Sequence, residues 1–365
     1  MSPHPNTYPN PGDRLAVVSQ SGSTVTLLDA VDHTVRTVLT VPAEPHELCF
    51  DPEHRLLYCT SAYLSGYYGA NAGQNHLLTV IDPDAGRVVE VIDLSPEAGP
   101  HGLALDAARR LLYVSVEEGP AGPGGVVVLD TATRRVLRRI DTLAPGPHWF
   151  AIDPDGRLGY AANKEAPFLT VVELATGALV DKIAVPGSEG IAVSPDGSTV
   201  AVAAPKADLG RLAAEPGVLL IDTRTAAIAA TLPTEHAVIP VHWTATGLLL
   251  AAEVRAPGEP SAAPPATGAV TGTFGDREMP TGRLAVWAGP SAAEMARVGS
   301  AEVGAMPLTL ASSPDGGRAY VAAVAASTVS VVDLAVPARP TVIDTVFVPR
   351  AGEPGAHGLA YIPAP

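Results

Sequence analysis

The stretch "GPHGLALDAARRLLYVSVE", Gly99 to Glu117, decides the fold, because the chain repeats it. Near-copies are "EPHELCFDPEHRLLYCTSA" from Glu44, "GPHWFAIDPDGRLGYAANK" from Gly146, "GSEGIAVSPDGSTVAVAAP" from Gly187 and "MPLTLASSPDGGRAYVAAV" from Met306. A truncated copy, "GAHGLAYIP" from Gly355, lies at the C-terminal end. Each copy is a short apolar strand, a tight Asp/Pro/Gly turn and a second apolar strand. Two further strands separate successive copies, as in "VVVLDTATRRVLRRIDT" from Val126 and "VLLIDTRTAAIAATLPT" from Val218. Four short strands per unit and no convincing helical period predict an all-β propeller, whose blades stack around a channel because none can bury its faces alone.

Working outward, the first strand, near Arg14, has no Pro-His strand before it, and the last, from His357, has no partners after it. Ring closure solves both, the C-terminal strand becoming the innermost strand of the N-terminal blade and removing two exposed edges. Counting then gives seven blades, with inner strands starting near His357, His46, His101, His148, Glu189, Ile239 and Leu308. The Ile239 register is counted back from Gly247, since "IPVHWTATG" lacks the usual turn residues. Residues 1–13 are expected to be a loosely attached tail and 14–365 a single domain.

The repeats "LLYVSVE", "RAYVAAV" and "IDTRTAAIAATLP" resemble the YVTN-type repeat of seven-bladed bacterial propellers, the surface-layer and YncE-like group. The resemblance covers essentially the whole chain. It implies the fold and leaves activity open, because that group includes binding proteins and enzymes.

Composition excludes several classes. The 365 residues carry a formal charge of −15, which argues against a nucleic-acid backbone and an anionic membrane surface as partners. No apolar run reaches the length of a membrane span. "MSPHPNTYPNPGDR" has neither the basic start nor the apolar core of a signal peptide, so a cytoplasmic location is expected. Cys49 and Cys59 do not stand directly opposite each other and are expected to be free thiols. A closed ring demands no partner, so a monomer suffices. There is no P-loop, dinucleotide fingerprint, nucleophile elbow or two-cysteine metal pair. "GPAGPGG" from Gly119 leads into no helix and is not a phosphate cradle.

Function is sought where pseudo-symmetry converges. Equivalent inner-strand positions face one another across the axis, so the ring reads His357, His46, His101, His148, Glu189, Ile239, Leu308. Neutral imidazole is the commonest protein ligand for a transition metal. The expectation is therefore a divalent zinc, iron or copper ion held by His46, His101, His148 and His357, or three of them. Glu189 would be a further ligand, an orienting group or a general base, and Ile239 and Leu308 would leave a dry sector open to substrate. His76 and His236, on the same face, are candidate acid or base groups. Tyr63, Tyr67, Glu117, Lys164, Glu253 and Arg255 are candidate substrate contacts. The charged ones lie at second-strand ends, and Tyr63 and Tyr67 in the loop above; the long loops 63–75, 205–216 and 254–282 mark this face as the working end.

His4, His33 and His54 are expected to be solvated, His242 to be a core histidine, and Trp149, Trp243 and Trp287 to pack between blades. The expected function is a metal-dependent enzyme acting on a small organic molecule, a lyase or ring-opening hydrolase ahead of an iron or copper oxidoreductase. The competing reading is a metal-free propeller that holds a protein or peptide on the same face.

Overall fold

The turns set the strand lengths. At the end of several inner strands an aspartate folds back on its own main chain. Asp51 Oδ1 accepts from the Glu53 and His54 N–H groups at 2.9 and 3.3 Å, and Asp153 Oδ1 from those of Arg157 and Leu158 at 2.7 and 3.1 Å. Asp130 and Asp222 cap the turns between third and fourth strands in the same way. These side chains satisfy donors that a tight reversal would otherwise leave bare, so each strand stops where its aspartate stands.

The computed structural model describes residues 8–66, 71–120, 122–206, 215–261, 269–352 and 354–365. The strands form seven four-stranded antiparallel sheets in a ring, plus one two-stranded hairpin. Blade 1 combines the C-terminal strand Ala356–Ile362 with Arg14–Ser19, Thr24–Asp29 and Val35–Thr40. Its closure is antiparallel, with Arg14 opposite Ile362 and Ser19 opposite Ala356. Blades 2 to 7 follow in order as residues 45–93, 98–141, 147–184, 191–233, 237–305 and 307–347.

Seven apolar clusters fill the seven interfaces between neighbouring blades. Second strands are almost wholly buried, as in Thr199–Ala204, whereas outermost strands such as Arg87–Asp93 alternate and carry charge. That is how an unpaired edge is kept from pairing with another chain. Trp149, Trp243 and Trp287 pack in these interfaces, and His242 donates or accepts across one of them, Nε2 lying 2.9 Å from Ser312 Oγ. Both cysteines are free thiols, burial pushing each up to about 12. Among the described residues no helix is long and apolar enough to cross a membrane.

Two expectations need correction here. Of the expected tail, residues 1–7 lie outside the described residues, and 8–13 are not loose, because hydrogen bonds tie Tyr8 and Asp13 to blade 7 and to the closing strand. The buried Asp13 carboxylate accepts from the Tyr361 hydroxyl at 2.6 Å and from the Ala364 N–H at 2.7 Å, and Tyr8 N–H bonds Asp315 at 3.0 Å. His33 and His54 are not simply solvated, since they pair with Asp344 at 2.5 Å and Asp51 at 2.7 Å. Separately, the described part of the 254–282 loop carries regular structure. Its hairpin, Gly272–Phe274 with Arg277–Met279, packs Phe274 and Met279 against Ile239, Met306 and Leu308. His4 lies outside the described residues.

Candidate metal centre at the channel mouth

Inner strands carry a bulge at the ring position. The pairing register with the second strand slips between Pro45 and Leu48, Pro100 and Leu103, Pro147 and Trp149, Val238 and Val241, and Pro307 and Thr309. A bulge re-aims side chains that strict alternation would send between the blades. Each bulge is also tied to its neighbour. Thr60 Oγ1 accepts from Glu47 N–H at 3.1 Å and donates to the His101 carbonyl at 2.9 Å. Ser115 Oγ accepts from Gly102 N–H and donates to the His148 carbonyl, both at 2.8 Å. The residue after the ring position is squeezed: a Cβ on Gly358 would stand 2.3 Å from the His46 carbonyl oxygen. The close backbone approach therefore needs glycine at Gly358, whereas Glu47 and Trp149 stand at the corresponding positions of blades 2 and 4.

The outcome is a contiguous arc of buried imidazoles. Ring centroids are 4.1 Å apart for His357 and His46, 4.2 Å for His46 and His101, and 3.5 Å for His101 and His148. All four residues are at most 5% exposed, and Glu189, Ile239 and Leu308 complete the circle at 1%, 3% and 4%. Burial first, then the neighbouring imidazoles, hold His46 and His101 well below the ordinary 6.5. Both rings are therefore neutral at neutral pH.

Donor atoms are left over on this arc. His46 Nδ1, Glu47 Oε1, His357 Nδ1 and Glu189 Oε2 make no hydrogen bond among the described residues. Neither nitrogen of His101 makes one of normal geometry, the His148 main chain being the nearest help. One donor atom each from His46, Glu47 and His357 lies within 4.8 Å of the other two, and His357 Nδ1 is 3.3 Å from Glu47 Oε1. Buried polar groups normally find partners, so a set of orphans facing one another fits a bound cation. Two imidazoles and a carboxylate are a donor set for zinc, iron or copper. The adjoining cavity, between His46, His148 and His357 on one side and Phe274, Met306 and Leu308 on the other, is narrow.

Around the arc, Glu117 accepts from Tyr63 O–H and Gln74 Nε2, both at 3.2 Å, and lies 3.1 Å from His148 Nδ1. Tyr63 is pushed far up, by burial first and then by the Glu117 charge, so it stays a phenol. Lys164, only 7% exposed, is pulled down to about 8 by burial, against the opposing charge of Glu189.

Other candidates fall elsewhere. Ile239 and Leu308 do sit on the ring, but they do not leave an open dry sector: the insertion hairpin covers them. Arg255 is held in a buried bidentate pair with Glu302 at 2.6 and 2.8 Å and also donates to the Thr281 carbonyl at 2.6 Å, so it is tied within its own blade. Glu253, fully buried, accepts from the N–H groups of Glu235 and His236 at 3.2 and 3.1 Å. His236 Nδ1 lies 3.4 Å from Glu259, and His76 Nδ1 bonds the Glu97 carbonyl at 2.6 Å. Neither has a contact to the arc among the described residues. Tyr67 lies outside the described residues.

Glu47 is the residue that sequence reasoning missed. Its signal was present: a charged residue stands in "EPHELCF" where "GPHGLAL" and "GAHGLAY" have glycine.

Comparison with known proteins agrees with this architecture. No family model matches the chain. The protein called uncharacterized protein YncE, from Salmonella typhi and from Salmonella typhimurium, is 26% identical over 187 residues, covering 47% of this chain and 48% of the relative. The chain is a seven-bladed β-propeller that resembles YncE over about half its length. The match to these relatives is distant and spans about half their length.

Solved structures of the same fold include the periplasmic gluconolactonase PpgL of Pseudomonas aeruginosa, at TM-score 0.66 and 18% identity over 97% of this chain and 99% of that one. Hydrazine synthase from Kuenenia stuttgartiensis matches at 0.66 and 19% over 92% and 99%. A functionally unknown protein from Desulfotomaculum acetoxidans matches at 0.67 and 13% over 97% and 100%. At these identities the likeness is one of fold.

Proposed function

We propose that the chain is a metal-dependent enzyme acting on a small organic molecule at the channel mouth, with ring-opening hydrolysis of a lactone the favoured reaction. One observation carries this reading: His46, Glu47 and His357 are buried together with unsatisfied donor atoms directed at one another. That arrangement costs stability without a cation and is repaid with one. A gluconolactonase among the proteins of this fold supplies the reaction class to test and none of the residues.

In this reading His46, His357 and Glu47 hold the ion, the carboxylate lowering the net charge of the buried centre. A divalent ion bound there supplies Lewis-acid polarisation of a carbonyl and a more acidic water. The substrate would meet the centre at this cavity, whose lining includes Tyr63 and the apolar Phe274, Met306 and Leu308. Lys164, near 8, has a proton to exchange close to neutral pH.

The test is metal analysis after chelation and reloading with Zn²⁺, Fe²⁺ or Cu²⁺, followed by hydrolysis of glucono-1,5-lactone in a pH-stat. Wild type should retain one ion per chain, and Glu47→Gln and His46→Asn should lose it. A wild-type protein that keeps no stoichiometric ion of the three sinks the metal reading and leaves the metal-free binding propeller in its place.

A further inference from the structure

The outer rim of several blade interfaces is closed by one device. One part is the outermost-strand residue opposite the last third-strand residue before the bulge: Glu90 opposite Val80, Arg138 opposite Val128, Asp181 opposite Val171 and Asp344 opposite Val331. The other is the next blade's turn between third and fourth strands, at its left-handed residue: Arg134, Gly177, Ala226 and His33 respectively. Blades 2 and 3 are clipped by Arg134 Nε donating to Glu90 Oε2 at 2.6 Å, and blades 7 and 1 by His33 Nδ1 with Asp344 Oδ2 at 2.5 Å. Blades 3 and 4 are clipped by Arg138, which donates to the Leu174 carbonyl. Between blades 4 and 5 the clip is missing. An alanine stands where blade 3 has Arg134, and the exposed Asp181 carboxylate accepts only from the Lys182 N–H among the described residues.

Where the clip is missing, the interface opens. A cleft of about 190 Å³ lies there, walled by Leu158, Val171 and Ile183 of blade 4 and Ile221 of blade 5, with Asp181 and Ala226 on its lining. Tyr160 also lines it and is only 2% exposed. Its counterpart Tyr58 donates to the Thr131 carbonyl of the next blade at 3.4 Å. Tyr160 makes no hydrogen bond among the described residues, although Thr223, the counterpart of Thr131, is on the same lining. Burial pushes Tyr160 up to about 12, so it stays a phenol whose oxygen is able to accept.

We propose that this cleft is a binding site for an alkylguanidinium, a ligand bringing from outside the group that Arg134 supplies from within the chain. The site is independent of the mouth: it stands at the turns between third and fourth strands, the opposite end of the blades from the histidines. A guanidinium offers a planar fork of donors that matches a carboxylate, here Asp181, with the Tyr160 oxygen as a further acceptor. An exposed ion pair alone is weak, so the apolar walls matter as much, covering the stem that carries the charge. Arg224 lines the cleft too, but it is exposed and lies near the Asp222 carboxylate, which balances its charge.

The experiment uses the full chain with ¹³C-methyl isoleucine, Ile183 and Ile221 being assigned by the signals lost in Ile183→Val and Ile221→Val. Titration with n-butylguanidinium should shift both methyl signals saturably, and each methylene removed from the probe should weaken binding about 2–4-fold. Asp181→Asn should weaken it about 5-fold. Ala226→Arg, which installs the blade 3 clip at a backbone conformation Arg134 already adopts, should abolish the shift and raise the denaturant midpoint. Free L-arginine and an end-blocked arginyl tripeptide separate the sources: the tighter binder shows whether the group arrives on a small molecule or on a side chain. Failure of both to shift the same methyls would overturn the proposal. So would a wild type with no saturable shift, or equal binding by wild type, Asp181→Asn and Ala226→Arg. Binding of pentanoate in place of the guanidinium, lost in Arg224→Ala, would make this an anion site and overturn the assignment as well.

Discussion

If the arc of histidines exists for a ligand, relieving it should make the metal-free protein more stable, and His101→Leu is the sharpest way to ask. His101 is fully buried, with no hydrogen bond of normal geometry at either nitrogen. An orphaned buried polar group costs about 1–3 kcal/mol. Leucine already occupies the equivalent ring position in blade 7, at Leu308, so the scaffold tolerates that shape. Set against this, repacking a hydrophobic side chain of similar size typically costs less than about 1.5 kcal/mol. The expected net effect in EDTA at pH 7.5 is a gain of about 1 kcal/mol or more, read as a raised denaturant midpoint at unchanged slope.

The pH dependence gives a second readout. His101 is held well below 6.5 in the fold, so from pH 6.5 downward the unfolded chain takes up a proton that the folded chain refuses. Wild-type stability then falls, by about 1.4 kcal/mol per pH unit for this group, until the folded pKa is reached. The leucine variant lacks that contribution, so the two curves should diverge as pH falls below 6.5 and run parallel above it. A clear loss of stability in EDTA at pH 7.5, with curves parallel throughout, would mean that His101 is a satisfied structural residue. The argument from orphaned donors would then be refuted.

Two further outcomes follow from the frame around the site. Glu302→Ala should cost about 3–5 kcal/mol by leaving Arg255 buried and unpaired, whereas Arg255→Met with Glu302→Leu should come close to neutral, as a double-mutant cycle in thermal denaturation would show. Ser115→Ala removes the hydroxyl that links Gly102 N–H to the His148 carbonyl; it should cost about 1–3 kcal/mol in urea denaturation, and Ser115→Thr should recover part of that.

The fold was legible because it is written several times over. Asp51, Asp106 and Asp153 close the same turn in successive repeats, and the orphan strand at His357 announces the closure. The arc of imidazoles was legible for the same reason, since equivalent residues of a ring meet at its axis. Glu47 escaped because two-residue alternation places neighbours on opposite faces, and the bulge between Pro45 and Leu48 brings His46 and Glu47 inward together. Glu117 was placed at the rim, yet it reaches from blade 3 to a histidine of blade 4, a contact between side chains that strand register does not encode. Arg255 looked available because its partner Glu302 stands on the outermost strand of the same blade, beyond an insertion whose course composition could not give.

The hairpin over Ile239 and Leu308 changes what the histidines are for. An apolar sector open to water would leave the arc half hydrated, and protonated imidazoles would repel any cation offered to them. Covered by Phe274 and Met279, that sector becomes a wall of low polarity beside His46 and His357. Dry surroundings of this kind hold buried imidazoles neutral, the only state that binds a metal through nitrogen. The same desolvation makes each unpaired nitrogen costly, so the metal-free site is poised against its own stability. The covering hairpin and the orphaned donors therefore bear on one question: cover adds to the burial that keeps His46 and His101 neutral, and neutral imidazoles are what a cation would require.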